Sequence, residues 1–110
     1  MRVAYVSTEV FPALKTGGLA DVNAALPGAL IAAGADVRLL LPAFPAFEAA
    51  IADAQTIVRL QAPLGGIDVQ IVRGRLGAVP AYLVSAGSLY ARPGNPYVDA
   101  SGRDWPDNHL

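Results

Sequence analysis

Two short apolar runs, separated by a glycine-containing loop and a helix-forming segment, do most to limit the folds open to this chain. The runs are Val3–Val6 and Val37–Leu41, which are apolar apart from Arg38, and such runs are typical of strands buried on both faces. The segment Leu19–Ala33 between them has helical spacing and is followed by Gly34, a common residue after a helix end. A strand, helix and strand in this order fit a right-handed crossover between parallel strands. The sequence therefore predicts an α/β fold with a parallel sheet.

The predicted helix has an apolar stripe and an internal proline. The stripe consists of Leu19, Val22, Leu26 and Leu30, at the spacing that amphipathic helices turn toward a core. Pro27 cannot donate a backbone hydrogen bond, so we expect it to kink or divide the helix.

The second half of the chain is predicted to hold a short helix, three further strands and a long loop. The segments are, in order, the helix Pro45–Ala54, the strands Thr56–Gln61, Ile67–Ile71 and Val79–Val84, and the loop Ser85–Asn108. The turn at Gly65–Gly66 predicts a β-hairpin in an otherwise mostly parallel sheet. Because Asp107 and Asn108 are suited to cap a new helix, we expect residues 1–110 to be the N-terminal part of a larger domain, with a naturally short protein as the open alternative.

Composition excludes several classes of function. The chain is 54% hydrophobic and 15% charged, with a net charge of −1 and no cysteine. It is too apolar for a disordered tail, and it lacks the positive charge that attracts nucleic acid or anionic membrane. Disulfide and thiolate metal chemistry are excluded, and a single histidine cannot form a metal cluster. We expect no metal, no cofactor, no membrane span and no secretion signal, and hence a cytoplasmic protein. Abundant alanine and arginine are typical of a GC-rich bacterial genome.

The loop before the predicted helix is a candidate phosphate site. Lys15, the only lysine, precedes Thr16, Gly17 and Gly18. Glycines let backbone N–H groups approach an anion, and a helix N-terminus supplies unpaired donors with partial positive charge. The spacing matches neither the dinucleotide fingerprint nor the P-loop, so a tight turn with a surface lysine stays an open alternative.

Several separate segments also match a known family in order and spacing. They are Lys15–Val22 (KTGGLADV) with the preceding Ser7–Leu14, then Ala25–Pro27, Gly34, Val37–Pro42, Leu89–Tyr97 and Gly102–Asn108. Together they resemble the opening of bacterial glycogen synthases and plant starch synthases, of which this chain would form about the first quarter. The resemblance implies the first part of a GT-B fold, which has two Rossmann-like halves with the active site between them. It also implies transfer of glucose from ADP-glucose to the non-reducing end of an α-1,4-glucan, with retention of configuration and without a metal.

The resemblance also assigns residues. Lys15 would contact the phosphate or sugar of the donor, and the amides of Gly17 and Gly18 would line its pocket. Asp21 belongs to the signature, and its role is open between substrate contact and complementing or capping the helix N-terminus. Tyr97 is open between donor binding and loop packing. We expect no catalytic residue within this chain.

Other polar and aromatic residues are interpreted as structural. Glu9 is expected to brace the loop or lie exposed, Tyr90 to pack, and Trp105 to cover a sheet edge. His109 is assigned no role. The sequence leaves ADP against UDP specificity open, and an uncovered sheet edge makes self-association plausible. The competing hypothesis is a non-catalytic, flavodoxin-like domain that binds a nucleotide or phosphate.

Overall fold

A computed structural model describes residues 1–108, so His109 lies outside the described residues. Its elements are β1 (Arg2–Val6), α1 (Leu19–Ala32), β2 (Asp36–Pro42), α2 (Pro45–Ala50), β3 (Ala52–Leu64), β4 (Ile67–Leu76), β5 (Val79–Ser85) and a 3₁₀ turn at Gly87–Leu89. Every strand expected from the sequence is present, and each extends beyond its predicted bounds. The short helix α2 is instead shorter than predicted: it ends at Ala50 rather than Ala54, because the chain continues directly into β3.

The α/β fold is confirmed, with one change in the character of the sheet. The order is β1-β2-β5-β4-β3, with β2 parallel to β1 and β5, and with β4 antiparallel to β5 and β3. The sheet is therefore mixed rather than mostly parallel. Tight turns explain the antiparallel part: Gly65, Gly66 and Gly77 all have positive φ and reverse the chain within a few residues. Parallel pairing requires a crossover, which α1 supplies between β1 and β2.

The core lies around strand β2 and the short helix α2. Leu39 and Leu41 of β2, Leu83 of β5 and Phe47 of α2 are almost fully buried and pack in one cluster. The cluster also includes Val10, which lies in the loop after β1. The start of that loop is therefore fixed to the core, although the glycines that follow it are exposed.

Strand β1 is not buried as its apolar run predicts. It pairs with β2 alone among the described residues, and Val6 is 70% exposed. An apolar strand that forms a sheet edge in this chain leaves one row of backbone groups unpaired. The prediction was wrong because apolar periodicity reports what a strand can bury, and not whether a neighbouring strand is present.

Helix α1 differs from its prediction in two ways. The expected stripe faces outward, with Leu19, Val22 and Leu26 at least 40% exposed, while Ala20, Asn23 and Pro27 are the buried residues. The helix also runs through Pro27 as one continuous element, so the expected division is wrong. Burial of the proline ring against the sheet offsets the backbone hydrogen bond that it cannot make.

The late loop is held by side chains from its two ends. Arg92 forms an ion pair with Asp107 and lies over the ring of Trp105 at 4.4 Å. Tyr90 packs edge-on against Phe44 with ring centroids 5.5 Å apart, which confirms its predicted packing role. The observed partner of Trp105 is thus a loop arginine rather than a sheet edge.

Candidate functional site

The glycine loop lies where its sequence predicts. It leaves the carboxyl end of β1, and Gly18 is the residue immediately before the first helical residue, Leu19. In open α/β sheets this end of a parallel strand, followed by a helix N-terminus, is the usual place for anionic ligands. Lys15, Gly17 and Gly18 are exposed there.

Nothing inside the described chain requires glycine at positions 17 and 18. Neither residue has a positive φ, and a Cβ built on either would meet no atom within 4 Å. Turn geometry and close packing, the two ordinary structural reasons for glycine, therefore do not apply. What the two glycines do is leave open space directly in front of their backbone.

Lys15 and Asp21 form an ion pair beside this open space. The Lys15 Nζ donates to both carboxylate oxygens of Asp21, at 2.9 and 2.7 Å, and lies 5.6 Å from the centre of the Phe11 ring. An ammonium has three N–H donors, so one is left for a ligand. Asp21 lies in the first turn of α1, and the residue at the N-cap, Gly18, offers no side-chain cap. The observed partner of Asp21 is thus Lys15, and its functional role stays a prediction.

The loop is organised around the buried carboxylate of Glu9, which is only 4% exposed. Its Oε2 accepts hydrogen bonds from the amides of Thr16 (2.9 Å) and Gly17 (3.3 Å). Its Oε1 accepts from the Thr16 hydroxyl and from the Tyr97 hydroxyl, the latter at 2.8 Å. Burial acts to raise the pKa of Glu9, but the hydrogen bonds from Thr16, Tyr97 and Gly17 outweigh it and hold the pKa below its usual value. The loop-bracing interpretation of Glu9 is confirmed.

Tyr97 reaches the loop from the far end of the chain. Its hydroxyl contacts both Glu9 and the Thr8 hydroxyl, the latter at 2.7 Å. Burial raises the pKa of Tyr97, and the neighbouring Glu9 carboxylate raises it further, so the phenol stays protonated. Its contacts are with the loop, and donor binding by Tyr97 stays a prediction.

Asn23 of α1 fixes the opposite side of the loop. This buried amide donates to the Ser7 hydroxyl at 2.5 Å and to the Glu9 carbonyl at 2.8 Å, and it accepts from the Tyr5 hydroxyl. The sequence analysis missed Asn23 and Thr16 as contributors. Thr16 lies inside the KTGG segment, so its position was a signal, whereas Asn23 showed none beyond being polar in an apolar helix.

A pocket of about 390 Å³ opens beside the loop, at the carboxyl ends of β1, β2 and β5. Its lining is mostly apolar and includes Phe44, Tyr90, Thr8 and Tyr97. Among the described residues, Arg92 is the cation that lines it, and Arg92 is paired with Asp107. Tyr97 lines this pocket, whereas Lys15, Gly17 and Gly18 lie outside it. Glu9 connects the pocket with the glycine loop, because it accepts hydrogen bonds from both Tyr97 and Gly17.

The described residues show no metal site and no membrane-spanning segment. Within residues 1–108, no group of three acidic, histidine or cysteine side chains could hold a metal ion. No helix in that range is long and apolar enough to cross a membrane.

Comparison with known proteins gives a consistent family. Residues 2–110 match the family model described as starch synthase catalytic domain. Proteins named glycogen synthase from Paramagnetospirillum magneticum and Francisella philomiragia are 50% and 47% identical to this chain over its full length. The chain spans only 23% of the length of these relatives.

A solved structure supports the fold. The catalytic domain of starch synthase IV from Arabidopsis thaliana, bound to ADP and acarbose, superimposes with a TM-score of 0.72 at 22% identity. The match covers 89% of this chain and 21% of that one, which fits part of one Rossmann-like half of a GT-B fold. On the sequence matches, the chain belongs to the starch synthase catalytic domain family, whose curated relatives include glycogen synthases.

Proposed function

We propose that this chain supplies the donor-phosphate loop of a glycogen synthase. The full-length enzyme would transfer glucose from ADP-glucose to the non-reducing end of an α-1,4-glucan, with retention of configuration. The observation that carries the proposal is the open space in front of Gly17 and Gly18, which no part of the described chain requires. A ligand lying against these backbone groups, at the carboxyl end of β1 and beside a helix N-terminus, would account for two glycines in sequence.

The chemistry around this space suits a leaving diphosphate. The N-terminus of α1 directs unpaired amides and partial positive charge toward it. Lys15 adds a full charge, held in place by Asp21, with one N–H still to donate. Such preorganised donors stabilise the negative charge that develops as the glucosyl–phosphate bond breaks. In other enzymes a bound metal ion stabilises this charge. We therefore propose that no metal or cofactor is needed.

The relatives and the position of the loop support the substrates. The Arabidopsis structure is described as bound to ADP and acarbose, and the curated relatives carry the name glycogen synthase. We assign ADP-glucose to Lys15, Gly17 and Gly18, with Asp21 orienting the lysine and Tyr97 assisting from the late loop. The Gly17 amide donates to Glu9, so Gly17 would contribute open space to the donor rather than a hydrogen bond. Residues 1–110 would be the N-terminal part of the catalytic domain, and the groups that act on the reacting bond would lie in the rest of the enzyme. A cytoplasmic location stays a proposal.

The test uses the full-length enzyme and alanine at the two glycines. Gly17→Ala and Gly18→Ala place a methyl group in space that is empty in the chain, so we expect unchanged thermal stability and a raised KM for ADP-glucose. Gly28→Ala is the matched control, because its Cβ also meets nothing and it lies within α1, away from the loop. Unchanged donor kinetics in both loop variants would contradict the assignment. Detecting ADP-glucose or ADP binding but no glucan extension would instead favour a non-catalytic nucleotide-binding domain.

A further inference from the structure

The two halves of the candidate site are joined by one buried carboxylate. Glu9 accepts four hydrogen bonds, three from the glycine loop and one from Tyr97, which lies 88 residues further along the chain. None of these four donors is a cation, although Lys15 lies on the same loop and pairs with Asp21 instead. A buried anion solvated only by hydroxyls and amides is a costly arrangement, and it is tolerable because all four donors converge on it.

The geometry has a consequence for the loop amides. Oε2 holds the Thr16 and Gly17 amides, so the backbone between Lys15 and Gly18 is oriented from behind, from the side of the core. The Asn23 side chain donates to the backbone carbonyl of Glu9 at 2.8 Å, which fixes the position of the Glu9 backbone and so of its side chain. The backbone proposed to face the donor is therefore positioned by hydrogen bonds on its other side, toward the core.

We propose that Glu9 is a positioning residue that couples the late loop to the glycine loop, so that the donor-facing backbone is ordered only when Tyr97 is seated. The proposal rests on the proposed function, because it assigns the ordered loop to the sugar-nucleotide donor. Tyr97 then acts on the donor through Glu9, and its hydroxyl needs no direct contact with the ligand. The cost of ordering the loop is met before binding, which lowers the KM for the donor.

The substitutions at Glu9 should differ in a defined order. Glu9→Ala removes both acceptor oxygens, and with them all four hydrogen bonds, and it leaves two amides facing a void. Glu9→Gln keeps one oxygen for those amides, and its NH₂ can donate to the Thr16 and Tyr97 hydroxyls, because a hydroxyl accepts as well as donates. We therefore expect the donor KM to rise about tenfold to a hundredfold in Glu9→Ala and severalfold in Glu9→Gln. Tyr97→Phe, which removes one contact, should raise it by a similar severalfold factor.

The experiment measures donor and glucan kinetics separately in the full-length enzyme. Glu48→Gln on the exposed side of α2 and Tyr82→Phe, whose hydroxyl contacts Arg38, are the matched controls. The expected result is a raised KM for ADP-glucose with an unchanged KM for glycogen, and a smaller effect of Tyr97→Phe in the Glu9→Gln background than alone. A merely structural defect would lower the active fraction and the melting temperature while leaving the donor KM as it was.

A second readout needs no enzymatic activity. In the 110-residue chain, hydrogen exchange of the Thr16 and Gly17 amides should be faster in Tyr97→Phe than in the wild type, and unchanged in Tyr82→Phe. If the wild-type enzyme proves inactive, the proposed function fails while the exchange result still decides the coupling. If the enzyme is active and a folded Glu9→Gln or Tyr97→Phe variant shows wild-type donor KM and wild-type exchange, the coupling is refuted and the proposed function stands.

Discussion

Replacing Lys15 by alanine removes the only full positive charge on the glycine loop. The side chain is 45% exposed and its partner Asp21 is 52% exposed, so the lost ion pair should cost the fold about 0–1 kcal/mol. The effect on the donor should be larger, because a charge-assisted hydrogen bond to phosphate contributes about 1.5–3 kcal/mol. At 1.4 kcal/mol per tenfold, kcat/KM for ADP-glucose should fall roughly tenfold to a hundredfold or somewhat more. The carboxylate of Asp21, left unpaired near the diphosphate, acts in the same direction.

The assay is initial-rate kinetics of the full-length enzyme with varied ADP-glucose at saturating glycogen, with a thermal melt of each variant. Lys15→Arg should retain part of the activity, because the charge is kept while the head group becomes larger and planar. Arg75→Ala is the matched control, since Arg75 also forms an exposed ion pair at 2.7 Å. Its partner is Asp53 on β3, at the edge of the sheet away from β1. A raised KM with constant kcat would mean that the contact is equal in ground and transition states, and a lower kcat that it strengthens as the phosphate leaves. Donor kinetics equal to the wild type in a folded Lys15→Ala enzyme would refute the site assignment.

Three further predictions follow from the same structure. The 110-residue chain alone should show no glucosyltransferase activity, since it holds one side of the proposed site; incorporation of glucose from ADP-glucose into glycogen by the purified chain would contradict this. Because the folded-state pKa of Glu9 is lowered, its ionised form stabilises the fold above the ordinary glutamate pKa of 4.5, and this stability is lost as pH falls through the lower folded value. Urea unfolding should therefore show a steeper loss of stability below pH 4.5 for the wild type than for Glu9→Gln, and parallel curves would count against the network. Gly74→Ala should destabilise the chain by about 1–3 kcal/mol, because its Cβ would lie 2.6 Å from the Ala52 carbonyl oxygen. Gly28→Ala, whose Cβ meets nothing, should instead stabilise the helix by about 0.5–1 kcal/mol. Thermal melts in which both variants change in the same direction would disprove this contrast.

The site was more predictable than the sheet around it. The run Lys15–Gly18 predicted a loop at the end of β1 with a helix starting beside Gly18, and both are present. Local chemistry sufficed there, because glycines, a lysine and a helix start lie within a few residues of one another. The partner of Lys15 is Asp21, six residues further along in the first turn of α1, and the sequence left the role of Asp21 open.

The sequence by itself determined the elements, because apolar runs and glycine turns act over short distances. In strand β2, Val37, Leu39 and Leu41 are buried, as the apolar run predicts, while Arg38 within that run is exposed. Tertiary structure alone decided three other features: β1 lies at a sheet edge, α1 turns Asn23 and Pro27 rather than its leucines to the sheet, and Glu9 meets Tyr97. Each depends on which segments become neighbours, and a contact between residues 88 positions apart leaves no periodic signal in either segment.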